Sequence, residues 1–390
     1  MRVFEQDISR EEMESRQLEL LNGQIAWAAA RCPFYRHLEG VRLKSLAEIS
    51  RLPFTAAEDI IRRGEDMVCV PAAEVQRIVS LHTSGTSGPW KRLQFTAADL
   101  EQTVAFFAVG MGYMCGPGDK VLICMPGVAE DGIGQLLARG LRRLGAEPLL
   151  LGPINDYEAA ASVLRQERPH TIVGIPAQMR RLALTAPDAG PVNVLLSADR
   201  IGPALRRTVE RVWGCSVFEH YGLTESGLGC AVECPAHSGL HIRHDALYLE
   251  IVDPVSGQPR PAGEWGEIVL TTLTRQALPL LRYRTGDKGR LLTAPCGCGC
   301  LLPRLDTVAG RFSELKKPCS VYLLDDIFQG EDSILDYTAR LSEEGELQLA
   351  VAGDAELARR LAAARWPGLR IAAEAGPGFV TKGTAKRMVF

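Results

Sequence analysis

The sequence has no dense Lys/Arg block. Its 44 basic residues against 47 acidic ones leave a formal net charge of −3, and a chain without a basic stripe has no means of neutralising a nucleic-acid backbone. DNA and RNA are therefore not expected partners. Long apolar runs are missing as well. No stretch approaches the roughly 18 uninterrupted apolar residues that a membrane span needs, and residues 1–20 are charged throughout, without the apolar centre of a secretory signal. The expectation is a cytoplasmic protein with no membrane association. A Walker loop, GxxxxGK[ST], is absent, which excludes the P-loop NTPases. There is no internal repeat. The cysteines number 11, an odd count in a chain of 390 residues, so they do not form the framework of a small secreted disulfide domain.

What is present reads as a folded enzyme. Apolar residues make up 46% and charged residues 23%, the proportions of ordinary globular proteins, and the length exceeds what one core supports. In the first eighty residues FTAAED spaces Thr55 and Glu58 as a helix-starting capping box. From Asp119 onward short apolar runs (VLICM, PLLL, TIVGI, NVLLS) alternate with amphipathic stretches at residues 136–144, 157–166, after Pro176, and 203–213. That alternation predicts parallel strands joined by helical crossovers, an α/β sheet covered on both faces. After Tyr221 the texture changes to LYLEIVD and GEIVLTTL around the turn-rich PVSGQPRPAGEWG, which predicts an antiparallel, β-rich subdomain over about residues 222–310. The expected organisation is a large N-terminal domain, residues 1–310, and a small α+β, mobile C-terminal domain, residues 311–390, with a hinge near Gly310 and Arg311. One strand, LQLAVAG, and a helix after Asp354 are expected in the small domain.

Three motifs carry chemistry. SLHTSGTSGPWKR, residues 80–92, combines small residues that let backbone amides approach an anion with hydroxyls that add donors; its plain alternative is a flexible surface loop. EHYGLTES, residues 219–226, offers the Thr224 hydroxyl to a phosphate and the hard carboxylate oxygen of Glu225 to Mg²⁺, which takes few protein ligands beside substrate phosphates. PLLRYRTGDKGR, residues 279–290, places Asp287 at a turn where it could accept from a ribose diol; its alternative is a simple Gly-Asp turn.

Together, in this order and spacing, the three motifs resemble the adenylate-forming superfamily of acyl-CoA synthetases, luciferases and peptide-synthetase adenylation domains. GEIVLTTLTRQALPLLRYRTGD, CPFYRHL and PCGCG resemble the phenylacetate–CoA ligase branch, over roughly residues 32–311. The resemblance implies that Ser84, Gly85, Thr86 and Gly88 hold the ATP phosphates. It implies that Thr224 and Glu225 contact phosphate and Mg²⁺, and that Tyr221 and Gly222 line the adenine and acyl pocket beside Ser197, Ala198 and Asp199. Asp287 would hold the ribose hydroxyls, and Arg311 would sit at the nucleotide and hinge. The implied reaction joins a carboxylic acid, of aryl or arylacetic type, to AMP with loss of pyrophosphate, then to CoA. ATP, the acid and CoA are the implied small-molecule partners. The acyl pocket would be formed partly by residues 125–132 and by residues near His220 and Tyr221. The sequence does not fix the oligomeric state, and a homodimer is compatible with it.

The chain departs from that pattern in places. Thr384 stands where the superfamily's C-terminal adenylation lysine is expected, leaving Lys382 or Lys386 to reach the same place, with Lys386 the candidate catalytic group. Trp90 intervenes between Pro89 and Lys91, and no acidic residue follows Gly310-Arg311. These departures leave two other readings open: an adenylating enzyme with a non-CoA acceptor or an adenylated product, like the related coenzyme F390 synthetases, or a nucleotide-binding protein without turnover.

Cys230, Cys234, His237, His241 and His244 lie close in sequence, and Cys296, Cys298 and Cys300 come about sixty residues later. Two such groups can supply the four ligands of a tetrahedral zinc site. The segments ECxxxxGxHI and PCxCG resemble those of the phenylacetate–CoA ligase branch, which implies Cys234, His241, Cys296 and Cys298 as ligands of a structural Zn²⁺. The other reading leaves some of them as free cysteines in turns.

Overall fold

The computed structural model describes residues 8–82, 90–127, 130–342 and 344–378. The chain divides into two compact units, one of Met1–Tyr113 with His220–Ala309, the other of Met114–Glu219 with Gly310–Phe390. At Gly310 the chain passes from the first unit to the second. The segment beyond that boundary is grouped with Met114–Glu219 instead of standing by itself.

The first unit opens with α1 (Arg10–Arg31), started by a capping box: Ser9 Oγ accepts from the Glu12 amide at 3.1 Å, and a Glu12 carboxylate oxygen accepts from the Ser9 amide at 2.9 Å. Its inner face, Met13, Gln17, Leu21, Gln24, Ile25 and Ala28, follows the three-and-four spacing of a helix stripe. The two glutamines on that face are buried and hydrogen-bonded. Gln24 exchanges two hydrogen bonds with the backbone of Arg275, and Gln17 donates to the carbonyls of His244 and Leu247.

The next helix, α2 (Ala57–Arg63), starts one residue later than the sequence suggests. Asp59, not Glu58, closes back on the helix start by accepting from the Ala56 amide at 2.8 Å. The Thr55 hydroxyl is spent elsewhere. Buried to 1% exposure, it donates to Leu281 O at 2.7 Å and lies 2.9 Å from the Tyr35 hydroxyl. Removing it leaves a buried carbonyl unpaired, which costs about 1–3 kcal/mol. Thr55→Val, equal in shape, should therefore lower the thermal unfolding midpoint by several degrees, whereas a midpoint equal to the wild type would remove this hydrogen-bond triad as a stabilising element.

β1 (Arg77–His82) and β2 (Trp90–Phe95) pair antiparallel, and α3 (Ala97–Met111) begins at a capping box between Thr96 and Asp99.

The second unit carries the expected alternation: β3 (Lys120–Cys124), α4 (Ile133–Arg143), β4 (Glu147–Leu150), α5 (Tyr157–Glu167), β5 (Thr171–Gly174), α6 (Pro176–Thr185), β6 (Asn193–Leu196), α7 (Pro203–Trp213) and the start of β7 (Ser216–Tyr221). The strands run parallel in the order β7-β6-β5-β3-β4. Leu122, Cys124, Ile172, Val194, Leu196 and Val217 are buried under Leu164, Leu182 and Leu205 of the helices. This is why the strand segments read as unbroken apolar runs and not as alternating ones.

The last two residues of β7, His220 and Tyr221, return to the first unit. There β8 (Ala231–Glu233) and β9 (Leu240–Ile242) continue antiparallel from them. Next come β10 (Leu247–Val252), β11 (Gly266–Thr272) and β12 (Tyr283–Gly289), an antiparallel group, then β13 (Leu291–Leu292) and β14 (Arg304–Leu305), which pairs with β9. Helix α3 packs here, with Gly110 so close to Val232 that an added Cβ would lie 3.2 Å from its methyl group.

The segment after Ala309 adds β15 (Gly310–Arg311), α8 (Phe312–Leu315), α9 (Val321–Phe328), β16 (Ile334–Leu341), β17 (Glu346–Gly353), α10 (Ala355–Arg365) and β18 (Arg370–Ala375). Its sheet has three strands, two more than the sequence reading expects: β16 antiparallel and β18 parallel to β17. Arg180 of α6, 3% exposed, joins this segment to the rest of its unit. Its guanidinium donates to the carbonyls of Gln329, Glu331, Ile334 and Leu335 at 2.7–3.2 Å.

Candidate functional site

The structure brings two pairs of motif residues together inside the first unit. Tyr221, at the end of β7, donates its hydroxyl to Asp287 Oδ2 on β12 at 2.9 Å, across 66 residues of sequence. Burial, and after it the neighbouring Asp287 charge, pushes the Tyr221 hydroxyl well above its ordinary pKa, so it stays a donor at neutral pH. Asp287 is itself oriented from behind, its amide donating to Thr285 Oγ1 at 3.0 Å.

The second pairing surrounds Glu225, in the turn between β7 and β8. Its carboxylate, 7% exposed, accepts from the Tyr283 hydroxyl at 2.8 Å and from the ammonium of Lys91, both at Oε1. Burial by itself raises the carboxyl, but the Lys91 charge and hydrogen bond, and then Tyr283, outweigh it and hold Glu225 below the usual carboxylate range. It is thus an anion at neutral pH, suited to a hard cation. Thr224, half-buried next to it, closes the turn through its carbonyl, which accepts from Gly227. Gly222 cannot carry a side chain: a Cβ there would lie 2.6 Å from Leu228 O and 2.7 Å from the His220 ring. His220 is half-buried against the Phe106 and Phe107 rings, and that loss of solvent pulls its pKa down to about 4. It is a neutral, packed imidazole at physiological pH.

Lys91 and Tyr283 were not among the candidates drawn from the sequence. A signal for Tyr283 exists: along β12 residues 283, 285 and 287 are buried and those between them half-buried, so Tyr283 shares the inward face with Asp287. Lys91 lies 134 residues from Glu225 and no spacing announces the pair.

The remaining expected residues fall elsewhere. Ser84, Gly85, Thr86, Gly88 and Lys386 lie outside the described residues. Ser197, Ala198 and Asp199 belong to the second unit, just past the carboxyl end of β6, where open α/β sheets present their ligand crevices. Ser197 is buried, Ala198 is held at φ 76°, and Asp199 Oδ1 accepts from the Arg200 amide. A left-handed alanine is strained, a feature that concentrates at functional sites. Arg311, also in the second unit, has an exposed side chain, and its amide donates to the Tyr322 hydroxyl at 3.4 Å. The preceding Gly310 has φ 122° and lies against the Tyr322 ring, so only glycine fits there.

A separate cluster lies at the β8, β9 and β14 end of the first unit. The ligand atoms of Cys234, His241, Cys296 and Cys298 all fall within 4.8 Å of one another. Cys234 Sγ is 3.6 Å from Cys296 Sγ, and Cys298 Sγ is 3.5 Å from His241 Nε2. A tetrahedron with bonds of about 2.3 Å has edges of about 3.7 Å, so these separations suit one shared cation. Burial, then the charges of Arg304 and His244, pulls His241 down to about 4, leaving a neutral imidazole able to coordinate. The neighbouring candidates are otherwise engaged. His237 pairs with Glu233 at 3.3 Å, His244 Nε2 lies 2.8 Å from Pro303 O, and Cys230 is fully buried beneath Tyr221. Cys300 is buried in the same apolar group as Cys234 and Cys296 but is not one of the four whose ligand atoms converge.

Arg304, directly across from His241 in the β9–β14 ladder, is 2% exposed. Its Nη2 donates to Ala294 O, while Nε and Nη1 find no acceptor among the described residues. An orphaned buried guanidinium is expensive unless negative charge stands beside it. Three thiolates and a divalent cation sum to one negative charge, the complement of Arg304.

The sequence matches the family model of AMP-binding enzymes over residues 37–273. Phenylacetate-coenzyme A ligase of Thermus thermophilus is 30% identical over 79% of this chain and 72% of its own length. That of Escherichia coli is 30% identical over 79% and 73%. In fold, the chain superimposes with a TM-score of 0.83 on a crystal structure of 2-hydroxyisobutyryl-CoA ligase in complex with 2-HIB-AMP in the postadenylation state, at 21% identity over 98% of this chain and 90% of that one. An anthranilate CoA ligase in complex with anthranoyl-AMP matches with a TM-score of 0.55, at 15% identity over 80% and 66%.

Proposed function

The chain belongs to the AMP-binding enzyme family, in its phenylacetate–coenzyme A ligase branch, and from that premise we propose that it activates a small carboxylic acid with ATP and passes the acyl group to CoA. In the first half-reaction a carboxylate oxygen of the acid bonds to the α-phosphorus of ATP as the bond to pyrophosphate breaks. In the second the CoA thiol bonds to the acyl carbon as AMP leaves and the thiol proton is lost. No protein nucleophile is required; positioning and charge neutralisation are.

The observation that carries this reading is the anionic, buried Glu225 in the same unit as the Tyr221–Asp287 pair. Asp287 would accept from the ribose diol, with Tyr221 fixing its orientation, and Thr224 would meet a phosphate. Glu225 would hold Mg²⁺, which supplies neutralising charge to the nucleotide phosphates. Ser84, Gly85, Thr86 and Gly88 for the phosphates, and Ser197, Ala198, Asp199, Gly222 and Arg311 for the nucleotide or its pocket, are assigned by family resemblance alone. So is Lys386, the candidate for promoting adenylation. The acid is proposed to be of aryl or arylacetic type, after the named relatives.

Cys234, His241, Cys296 and Cys298 would hold zinc. The three-sulfur, one-nitrogen donor set, the tetrahedral edge lengths and the orphaned Arg304 support it. With all four positions filled by the protein, such an ion would be structural.

ATP–pyrophosphate exchange across a panel of carboxylic acids, phenylacetate and other aryl acids included, tests the function. Acid-dependent exchange, followed by AMP release only when CoA is added, is the expected result. Exchange without any use of CoA would redirect the reading to another acceptor, and ATP binding without exchange for any acid would overturn it.

A further inference from the structure

The bonding around Glu225 carries a further step, which rests on the assignment of that carboxylate to the metal ion. Groups from two strands meet at a single carboxylate oxygen: Tyr283 from β12 and Lys91 from β2 both donate to Oε1, with the ammonium 3.5 Å from the tyrosine oxygen. Tyr283 is 3% exposed and the Lys91 side chain 13%. Among the described residues no side chain donates to Oε2. We propose that Tyr283 is a positioning residue that pins Oε1 and presents Oε2 to the incoming metal ion, while Lys91 is a resident placeholder cation that leaves the carboxylate when the metal–nucleotide complex arrives.

The two donors differ in the way these roles require. A buried carboxylate needs a counter-charge at all times, because an unpaired one is heavily penalised. Before nucleotide binds, Lys91 is the only cation within hydrogen-bonding distance of Glu225 among the described residues. An ammonium on a four-carbon stem is a point charge that can swing away. A tyrosine hydroxyl on a ring packed inside a strand has two torsions and no such reach. Tyr283 is held further by the backbone of β12, which pairs it with Leu270 of β11. The pinned oxygen would therefore keep its neutral donor as the charged one departs. Lys91 lies at the end of the phosphate-loop motif in sequence, so the freed ammonium would be available to the nucleotide's own negative charge.

This arrangement makes metal and lysine competitors for one carboxylate, a property that can be read without catalysis. Mn²⁺, as a paramagnetic probe, is titrated into the full-length, nucleotide-free protein and free ion is counted by electron paramagnetic resonance. Lys91→Met should bind Mn²⁺ about tenfold more tightly than the wild type. Adding Tyr283→Phe to that variant should lose about tenfold, the worth of one hydrogen bond to a charged group. In exchange assays Tyr283→Phe alone should raise the Mg²⁺ half-saturation about tenfold while kcat falls less. Lys91→Gln replaces Lys91→Met should the latter not fold. Mn²⁺ affinity in the Lys91 variant no tighter than in the wild type would overturn the placeholder role. A Tyr283→Phe enzyme slowed in kcat with its metal half-saturation unmoved would overturn the positioning role. If no acid supports exchange in the wild type, the proposed function fails, yet the Mn²⁺ titration still decides this proposal.

Discussion

Glu225→Gln should cut acid-dependent ATP–pyrophosphate exchange by about 10²–10³-fold, the range seen when one preorganised electrostatic contact is taken from a reaction site. The substitution keeps the shape and an oxygen that can still accept from Tyr283, so the turn between β7 and β8 should persist. It removes the charge. Lys91 is left without its anion, and the turn between β7 and β8 loses the carboxylate proposed to draw a divalent ion beside the phosphates. Circular dichroism should stay close to the wild type while exchange collapses, and the unfolding midpoint should fall, because a mostly buried ion pair loses one partner. A Glu225→Gln enzyme with exchange within a few-fold of the wild type would mean that another group neutralises the nucleotide, and the assignment of Glu225 would fall.

The second large effect concerns the cysteine–histidine cluster. Purified wild-type protein should carry about one zinc per chain, and Cys296→Ser should carry almost none. Cys300→Ser, four residues along and outside the set of four whose ligand atoms converge, should keep its zinc. A structural zinc contributes folding free energy directly, on the order of 10 kcal/mol in isolated small domains. Its loss should lower the unfolding midpoint by many degrees, and a strong chelator should reproduce that shift in the wild type. Metal analysis by mass spectrometry and a thermal scan together check this. A metal-free wild type of full stability, or equal metal loss in the Cys296 and Cys300 variants, would end the proposal.

Much of the fold was legible because the second unit's strands are buried on both faces. VLIC, TIVG and NVLL are apolar without interruption, and the helices between them carry one apolar face each, so the βα alternation is visible in the letters alone. The segment after Ala309 was legible only at β17. In β16, ILDYTARL mixes Asp336, Thr338 and Arg340 into the run, and β18, RIAAEA, is a half-exposed edge of small residues. The three-residue strands β8 and β9 are too short to show a period. At the start of α2 the sequence reading pairs Thr55 with Glu58, and what decided against that pairing was tertiary: Thr55 was needed by Tyr35 and Leu281.

In the candidate site, Glu225, Tyr221 and Asp287 were picked out because each sits in a motif with its own chemistry. That Tyr221 and Asp287 touch, and that Glu225 is held by Tyr283 and Lys91, comes from strand pairing over tens to more than a hundred residues, which no local pattern encodes. The four cysteine and histidine residues were separable from their neighbours only through resemblance. In the structure the ligand atoms of those four converge, while His237 pairs with Glu233 and His244 Nε2 lies against Pro303 O.

The Arg180 fork bears on how the segment after Ala309 can behave. Four carbonyls from residues 329–335 share one planar guanidinium, and a rigid fork cannot let one acceptor drift without spoiling its aim at the others. Any release of that segment from α6 would have to break these bonds nearly at once and hydrate every freed group in the same event. The attachment therefore works as a snap fastener, closed or open with little population between, with the Arg200–Asp326 and Arg211–Asp332 ion pairs and the Thr208 hydroxyl on Gln329 O closing beside it.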